Sequence, residues 1–339
     1  MASHLLVGNP TAQSGKNEGR LDAAMRALEA VGIRAELLST LPDGRTVGAV
    51  KDALDAASFE VVIAMGGDGT FREVASGLMM SGARERTALA MLPTGTANDQ
   101  GRSFGLDASD SSLPKNVDVI RSKHETRLDA GVIRSAETAD FFFDSAAWGL
   151  SARVLAKRNE DRRAVEQMGV LKEIYRDHAV YVGAFVKTFL ESFIVDDTFA
   201  VTGMLDDQPF ALDGLTDLVI KNTRVFAGAW VLDPSAKHDD GAFELVPFRG
   251  KLDWASKAIV DLEVVPLTEQ GLNKVGIEHS KPMRASRMQL SLLAHEGGAP
   301  LMAQIDGEEW PSRPGRENVV IEVIPRALRL IVPGGDVPR

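Results

Sequence analysis

Val61-Val62-Ile63-Ala64-Met65-Gly66-Gly67-Asp68-Gly69-Thr70-Phe71 is the stretch on which the reading of this chain turns. Five apolar residues, three of them β-branched, have the length and texture of a strand buried in a parallel sheet. Three glycines follow around one aspartate, and Phe71–Met80 then takes up a helical pattern. Glycines at such a junction let the backbone come close to an anion, and the helix N-terminus points its free N–H groups at it. Asp68 is the unusual member. A carboxylate beside a phosphate is repulsive unless a cation or a reacting proton lies between them, so Asp68 implies Mg²⁺ or acid–base chemistry. Taken alone, the stretch also fits a tight turn in which Asp68 only caps the helix.

Around this stretch the first ~130 residues alternate short strands with helices, the rhythm of a parallel sheet. His4–Gly8, Ile33–Leu38, Glu60–Met65 and Ala88–Leu92 read as strands; Arg20–Val31, Thr46–Ala57 and Phe71–Met80 read as helices. A second loop of small polar residues, Leu92-Pro93-Thr94-Gly95-Thr96-Ala97-Asn98-Asp99, follows the fourth strand. Thr96 and Asn98 can donate to phosphate or ribose and Asp99 can order the loop. Two such loops on neighbouring strands point to a nucleotide site. The loop Asn9–Lys16 does not form a P-loop, because Gly8 and Gly15 are wrongly spaced and Asn17 stands at the Mg²⁺-binding hydroxyl position. Gly101-Arg102-Ser103-Phe104-Gly105 lacks the preceding strand of a nucleophile elbow. Arg72 occupies the last glycine position of a dinucleotide fingerprint. The histidines show no zinc pattern.

From about Arg127 the strands become frequent and lie between Gly-, Pro- and Asp-rich turns, the texture of an antiparallel sandwich. The expected strands are Arg127–Arg134, Asp140–Ala147, Phe199–Leu205, Leu218–Thr223, Phe243–Pro247, Lys274–Glu278, Met288–Leu293 and Met302–Ile305. One helical stretch, Arg162–Phe193, interrupts them, and Asn318–Val332 reads as two short apolar segments around Pro325. The expected fold class is α/β plus β: a doubly wound N-terminal nucleotide domain and a C-terminal β-sandwich-like domain, with the active site in the cleft between them. The expected domains are residues 1–126, with a C-terminal return at 325–339, and residues 127–324.

The 339 residues carry a net charge of −10, which argues against nucleic acid as the main partner. There is no cysteine, which excludes disulfides and thiolate chemistry and fits a cytoplasmic protein. The N-terminus lacks the basic and apolar regions of a signal peptide, and no run approaches the ~20 apolar residues of a spanning helix.

Taken together, Asn9-Pro10, Gly66–Thr70, Leu92–Asp99, Leu128-Asp129-Ala130-Gly131, Pro234–Phe243 and Ile305-Asp306-Gly307-Glu308 resemble the diacylglycerol kinase catalytic family in order and spacing. A lone Gly-Gly-Asp-Gly-Thr would not suffice, since NAD kinases and phosphofructokinases carry related loops. The resemblance implies ATP and Mg²⁺ as cofactors, with Asn9, Thr40, Gly66, Gly67, Asp68, Gly69, Thr70, Thr96 and Asn98 at the nucleotide. It implies Glu308 as general base with Asp68 as its catalytic partner, and Asp99, Asp129 and Asp306 in a supporting polar network. It places a structural Mg²⁺ on the Asp240 side chain and the backbone carbonyls of Lys237 and Ala242. Asp144 departs from the family, which usually carries Asn there, and Ala12-Gln13 lengthen the first loop.

The expected activity is transfer of the γ-phosphate of ATP to the hydroxyl of a lipid-like alcohol, such as diacylglycerol or a sphingoid base. A kinase of a soluble alcohol such as NAD and a non-catalytic nucleotide- or lipid-binding module are the alternatives. The apolar stripe Met168, Val170, Leu171, Ile174, Val182, Phe185, Val186, Phe189 and Leu190 is either core or an apolar groove. Lys157-Arg158 and Arg162-Arg163 precede it, as a solvated face or a contact for anionic headgroups. Peripheral contact with the inner membrane surface and a homodimer are both compatible with this reading.

Overall fold

The computed structural model describes residues 2–10, 16–95, 97–167, 198–227, 230–233, 235–250, 253, 281–298 and 300–335. The first half consists of β1 (His4–Gly8), α1 (Lys16–Ala30), β2 (Ala35–Ser39), α2 (Thr46–Ala56), β3 (Val61–Gly66), α3 (Asp68–Met80), β4 (Ala88–Pro93), α4 (Asp99–Ser103) and α5 (Leu113–Ser122). Its four strands are parallel in the order β2-β1-β3-β4. The side chains of a strand alternate between faces. Leu6, Ile63 and Ala90 therefore pack with Leu21 and Leu28 of α1 and with Val117 and Ile120 of α5. Leu5, Val62 and Leu89 pack on the opposite face with Val50 and Leu54 of α2 and Val74 and Leu78 of α3. The sheet is thus doubly wound. The winding reverses between β1 and β3, which opens a crevice at their carboxyl ends, next to Gly66–Thr70.

The second half adds β5 (Glu125–Arg134), β6 (Ala139–Phe142), β7 (Ser145–Gly149), α6 (Leu150–Gln167), β8 (Phe199–Leu205), β9 (Gln208–Leu215), β10 (Asp217–Lys221), β11 (Val225–Phe226), β12 (Trp230–Val231), β13 (Phe243–Phe248), β14 (Met283–Ala285), β15 (Arg287–Ala294), β16 (Ala303–Ile305), β17 (Glu308–Trp310) and β18 (Arg316–Ile331). One sheet runs β14-β13-β10-β7-β16-β17. The other continues the parallel sheet through β18, β15, β8 and β9, with β5 beside β18 and β6 beside β5. Phe142, Trp148, Phe243, Leu290 and Ile321 lie between the two sheets and form the sandwich core. Beneath the outer face of the first sheet, Val219, Val246 and Phe248 pack against Leu150 and Phe226.

Several expected boundaries move, each for a local reason. Asp140–Ala147 is two strands and not one, because the N–H groups of Phe143, Asp144 and Ser145 turn to the carboxylate of Asp306. Asn318–Val332 is a single strand. β5 pairs with it on both sides of an irregularity between Ile324 and Leu328, where Pro325 has no N–H to give. The long helix begins earlier than its apolar pattern suggests, at Leu150, and residues 168–197 lie outside the described residues, as does the expected strand Lys274–Glu278. α5 and β9 were not anticipated. The outward positions of β9 are largely exposed, so its sequence carries no apolar run.

The start of α6 is held by Asp217, a buried residue of β10. One of its oxygens accepts the N–H of Ser151 and the other its hydroxyl, each at 3.0 Å. Burial pushes this carboxyl up to about 7 against the opposing hydrogen bonds. A carboxyl raised in the folded chain holds its proton more tightly there than in the unfolded chain. Its contribution to stability is complete below the unfolded value of ~3.9 and is lost as pH rises through about 7. Asp217→Asn should therefore flatten the fall in stability between these two values, measured as denaturant midpoints across the pH series.

Candidate active site

Gly67 is the N-cap of α3 and brings no side-chain cap to the first turn. The second loop presses directly on it. A Cβ at Gly95 would lie 2.5 Å from the Cα of Gly67, and one at Gly67 would lie 3.3 Å from the Cα of Gly95. The two loops thus meet backbone to backbone, which only glycine permits. Asn98 holds the second loop closed in a left-handed conformation, φ 53°. Its side-chain oxygen accepts the N–H of Gly95 at 2.9 Å, and its amide nitrogen donates to the Gly95 carbonyl. Asp68 begins α3 and accepts the N–H of Gln100 at 3.2 Å. Burial and then the nearby charge of Asp144 raise its carboxyl above the usual range, opposed by the N–H groups of Gln100 and Asp99. A cation at Asp68 would relieve both effects, so this carboxylate suits a hard divalent ion.

Glu308 comes to this crevice from the other half of the chain. Ile305 and Glu308 pair across the Asp306-Gly307 turn, whose residues have φ 47° and 76°. Two positive φ values define the type I′ hairpin, which an Asp-Gly pair favours. The turn delivers Glu308 over Gly69, where a Cβ on the glycine would run into Glu308 Oε1. The other carboxylate oxygen is ion-paired with Arg72, one helical turn beyond Asp68. Residues 236 positions apart in sequence, Arg72 and Glu308, thereby close the cleft.

A buried polar cluster holds this hairpin. Burial, followed by the charge of Asp144, pushes Asp306 up to about 7, against Arg72 and the backbone N–H groups it accepts. Asp144 is paired with Lys221 at 2.7 Å, both side chains almost fully buried. Lys221 also donates to the carbonyl of Val225, and the Thr223 hydroxyl donates to Asp144. Asn222 donates to the carbonyls of Asp129 and Phe143. From the first half, Asp99 and Ser103 accept the N–H groups of Ala227 and Val225, at 2.8 and 3.0 Å.

Comparison with known proteins gives this geometry a family. The profile described as "Diacylglycerol kinase catalytic domain" matches residues 3–133. A protein of Pseudomonas aeruginosa (strain UCBPP-PA14) named "Probable lipid kinase YegS-like" is 29% identical over 96% of this chain and 92% of its own length. A "Diacylglycerol kinase" of Staphylococcus epidermidis is 30% identical over 71% of this chain and 68% of its own. The chain belongs to the diacylglycerol kinase catalytic-domain family. The crystal structure of a diacylglycerol kinase from Bacillus anthracis shares the fold at a TM-score of 0.67, with 17% identity over 98% of this chain and 97% of that one. A yeast NADH kinase shares it more distantly, at a TM-score of 0.50 and 7% identity over 99% of this chain and 85% of that one. The protein is accordingly a kinase of this family.

Within this kinase, the residues singled out from sequence do not all come together. Gly66, Gly67, Asp68, Gly69, Thr70 and Glu308 gather in the cleft. Asn9 and Thr40 follow β1 and β2, whose carboxyl ends are adjacent, and the Thr40 N–H donates to the Gly8 carbonyl at 3.0 Å. Thr96 lies outside the described residues. Asn98 and Asp99 shape the second loop and its contact with the other half. Asp129 lies elsewhere in the network. Its oxygens accept the N–H groups of Gly241 and Arg326, so it secures the loop after β12 and the β18 irregularity. Its carboxyl is raised by burial first, against these hydrogen bonds. In that loop, Asp240 pairs with Arg284. Among the described residues, no three acidic or histidine side chains are grouped to hold a metal. The Mg²⁺ site expected at Asp240 and the Lys237 and Ala242 carbonyls would offer one carboxylate, which here faces Arg284, and two backbone oxygens.

Three residues escaped the sequence reading. Lys221 gives no local signal, since a lysine in a strand is ordinarily exposed. Gln100 is buried with neither end of its amide partnered among the described residues, and it lines a small cavity with Asp68 and Phe71. Its place directly after Asn98-Asp99 was the available hint. Arg72 was visible only as a broken glycine pattern.

Two outcomes follow from this geometry. Gly95→Ala should force the two glycine loops apart and weaken nucleotide binding ~10-fold or more, read by calorimetric titration, while the melting temperature changes little. Asp144→Ala strands a buried lysine and should cost about 3–5 kcal/mol in denaturant unfolding, whereas Asp144→Asn with Lys221→Met should recover most of it.

Proposed function

We propose that this protein transfers the γ-phosphate of ATP to the hydroxyl of a lipid acceptor, with Glu308 as general base. The observation that carries this reading is the seat of Glu308. Its carboxylate lies over Gly69, the residue after Asp68 at the N-terminus of α3, beside the paired glycine loops. Phosphoryl transfer needs an in-line arrangement, neutralised phosphate charge and a group that orients the attacking hydroxyl. The glycine loops and the helix N-terminus suit the phosphates. Mg²⁺ bound at Asp68 would neutralise charge on the phosphate oxygens. Glu308, from the facing half, is placed to orient the acceptor hydroxyl and take its proton as the new P–O bond forms.

The names of the relatives support a lipid as acceptor. Among the described residues, no helix is long and apolar enough to cross a membrane. The fold alone does not choose the acceptor, since an NADH kinase shares it.

The test is transfer of label from γ-labelled ATP to a total lipid extract in Mg²⁺ buffer. An extractable labelled lipid should form, and Glu308→Gln should lower its rate at least ~10²-fold, the scale of lost general-base catalysis. A loss below ~5-fold would remove Glu308 from that role. Label appearing in NAD and not in lipid would move the acceptor to the soluble class.

A further inference from the structure

Arg72 is a charged residue of the cleft in direct contact with Glu308, and the proposed reaction leaves it without a part. It lies four residues after Asp68 on α3, a spacing that puts both on one face of the helix. Its side chain is 20% exposed, while that of Glu308 is 47% exposed. One end of the guanidinium is paired with Glu308 Oε2, and Nε is buried with no hydrogen-bond partner among the described residues. Burial acts against the charge of Arg72, but Glu308, Asp306 and Asp140 outweigh it and raise its pKa further. It therefore stays cationic at any pH at which an enzyme works.

A half-exposed glutamate just after a hairpin turn has several rotamers open to it. Two constraints select one. Gly69 leaves room for Oε1 on one side, and Arg72 grips Oε2 on the other. Asp306 does not draw the guanidinium away from Glu308, because its oxygens accept the backbone N–H groups of residues 143–145. Asp140 is occupied by the Trp310 indole N–H at 2.9 Å. A planar guanidinium donates along fixed N–H directions, so its single contact with Glu308 Oε2 orients the carboxylate as well as attracting it.

We infer that Arg72 is the positioning residue for Glu308: it holds the carboxylate over Gly69 in the orientation that receives the acceptor proton. The inference rests on Glu308 being the base. It predicts that the arginine matters only through that glutamate.

The test is a double-mutant cycle with γ-labelled ATP and a total lipid extract, together with crystal structures of the wild type and the Arg72→Gln variant. Arg72→Gln should lower kcat ~10- to 100-fold, the cost of a misplaced catalytic group, and change KM for ATP less than ~3-fold. In a Glu308→Gln background the same substitution should cost less than ~2-fold, because the group it positions is already gone. Arg72→Lys should recover part of the rate, since a point charge attracts the carboxylate without orienting it. In the crystal, Glu308 should leave its place over Gly69. The inference is overturned if Glu308 keeps that place, if Arg72→Gln has full activity, or if the two losses multiply. Multiplied losses would mean that Arg72 acts on the phosphates directly. A Glu308→Gln variant with normal kcat would instead overturn the base assignment itself. Should Arg72→Gln fail to fold, Arg72→Lys carries the same cycle.

Discussion

The pairing of β5 with β18 is the constraint on which the rest of the molecule depends. β5 enters from the parallel sheet and leaves in the sandwich, and β18 runs beside it in the opposite direction, touching β4 at one end and β15 at the other. A single antiparallel ribbon therefore sets the angle between the two halves. Its weak point is the irregularity at Pro325, where regular pairing fails for want of a donor and Arg326 takes a positive φ. Asp129, opposite on β5, accepts the stray N–H of Arg326 and that of Gly241. One buried carboxylate thus repairs the ribbon and anchors the loop that carries Asp240.

With the halves so fixed, the cleft is governed by electrostatics. Asp68, Asp144, Asp306 and Glu308 come close together, and the chain answers them with Lys221 inside and Arg72 at the rim. Breaking such a buried pair costs far more than forming it contributes, because the remaining charge has no solvent. That asymmetry accounts for the ordering of the cluster: Asp144 with Lys221, Asp306 with three backbone N–H groups, Glu308 with Arg72. Asp68 accepts two backbone N–H groups and feels Lys221 only weakly, while burial and Asp144 act against its charge, which is the property that recommends it for a divalent ion.

Much of this could be read from the chain. Continuous apolar runs in Val61–Met65 and Ala88–Leu92 made the parallel sheet legible, and glycines at 66, 67, 69 and 95 marked loops where backbones approach. The same logic failed where a side chain from far away replaced a local hydrogen bond. Asp306 cut the strand expected at 140–147, and β5 carried β18 past a proline that should have ended it. Neither partner lies within a window over which periodicity operates.

The sequence by itself determined the fold class, the glycine loops and the family, because these rest on local spacing, turn chemistry and side-chain alternation. Only the tertiary structure decided which charges face one another. Arg72 and Glu308, or Asp144 and Lys221, are ordinary residues until the β5–β18 ribbon brings them within hydrogen-bonding reach. Contact between them is a property of distance in space, and an ion pair leaves no period in the chain.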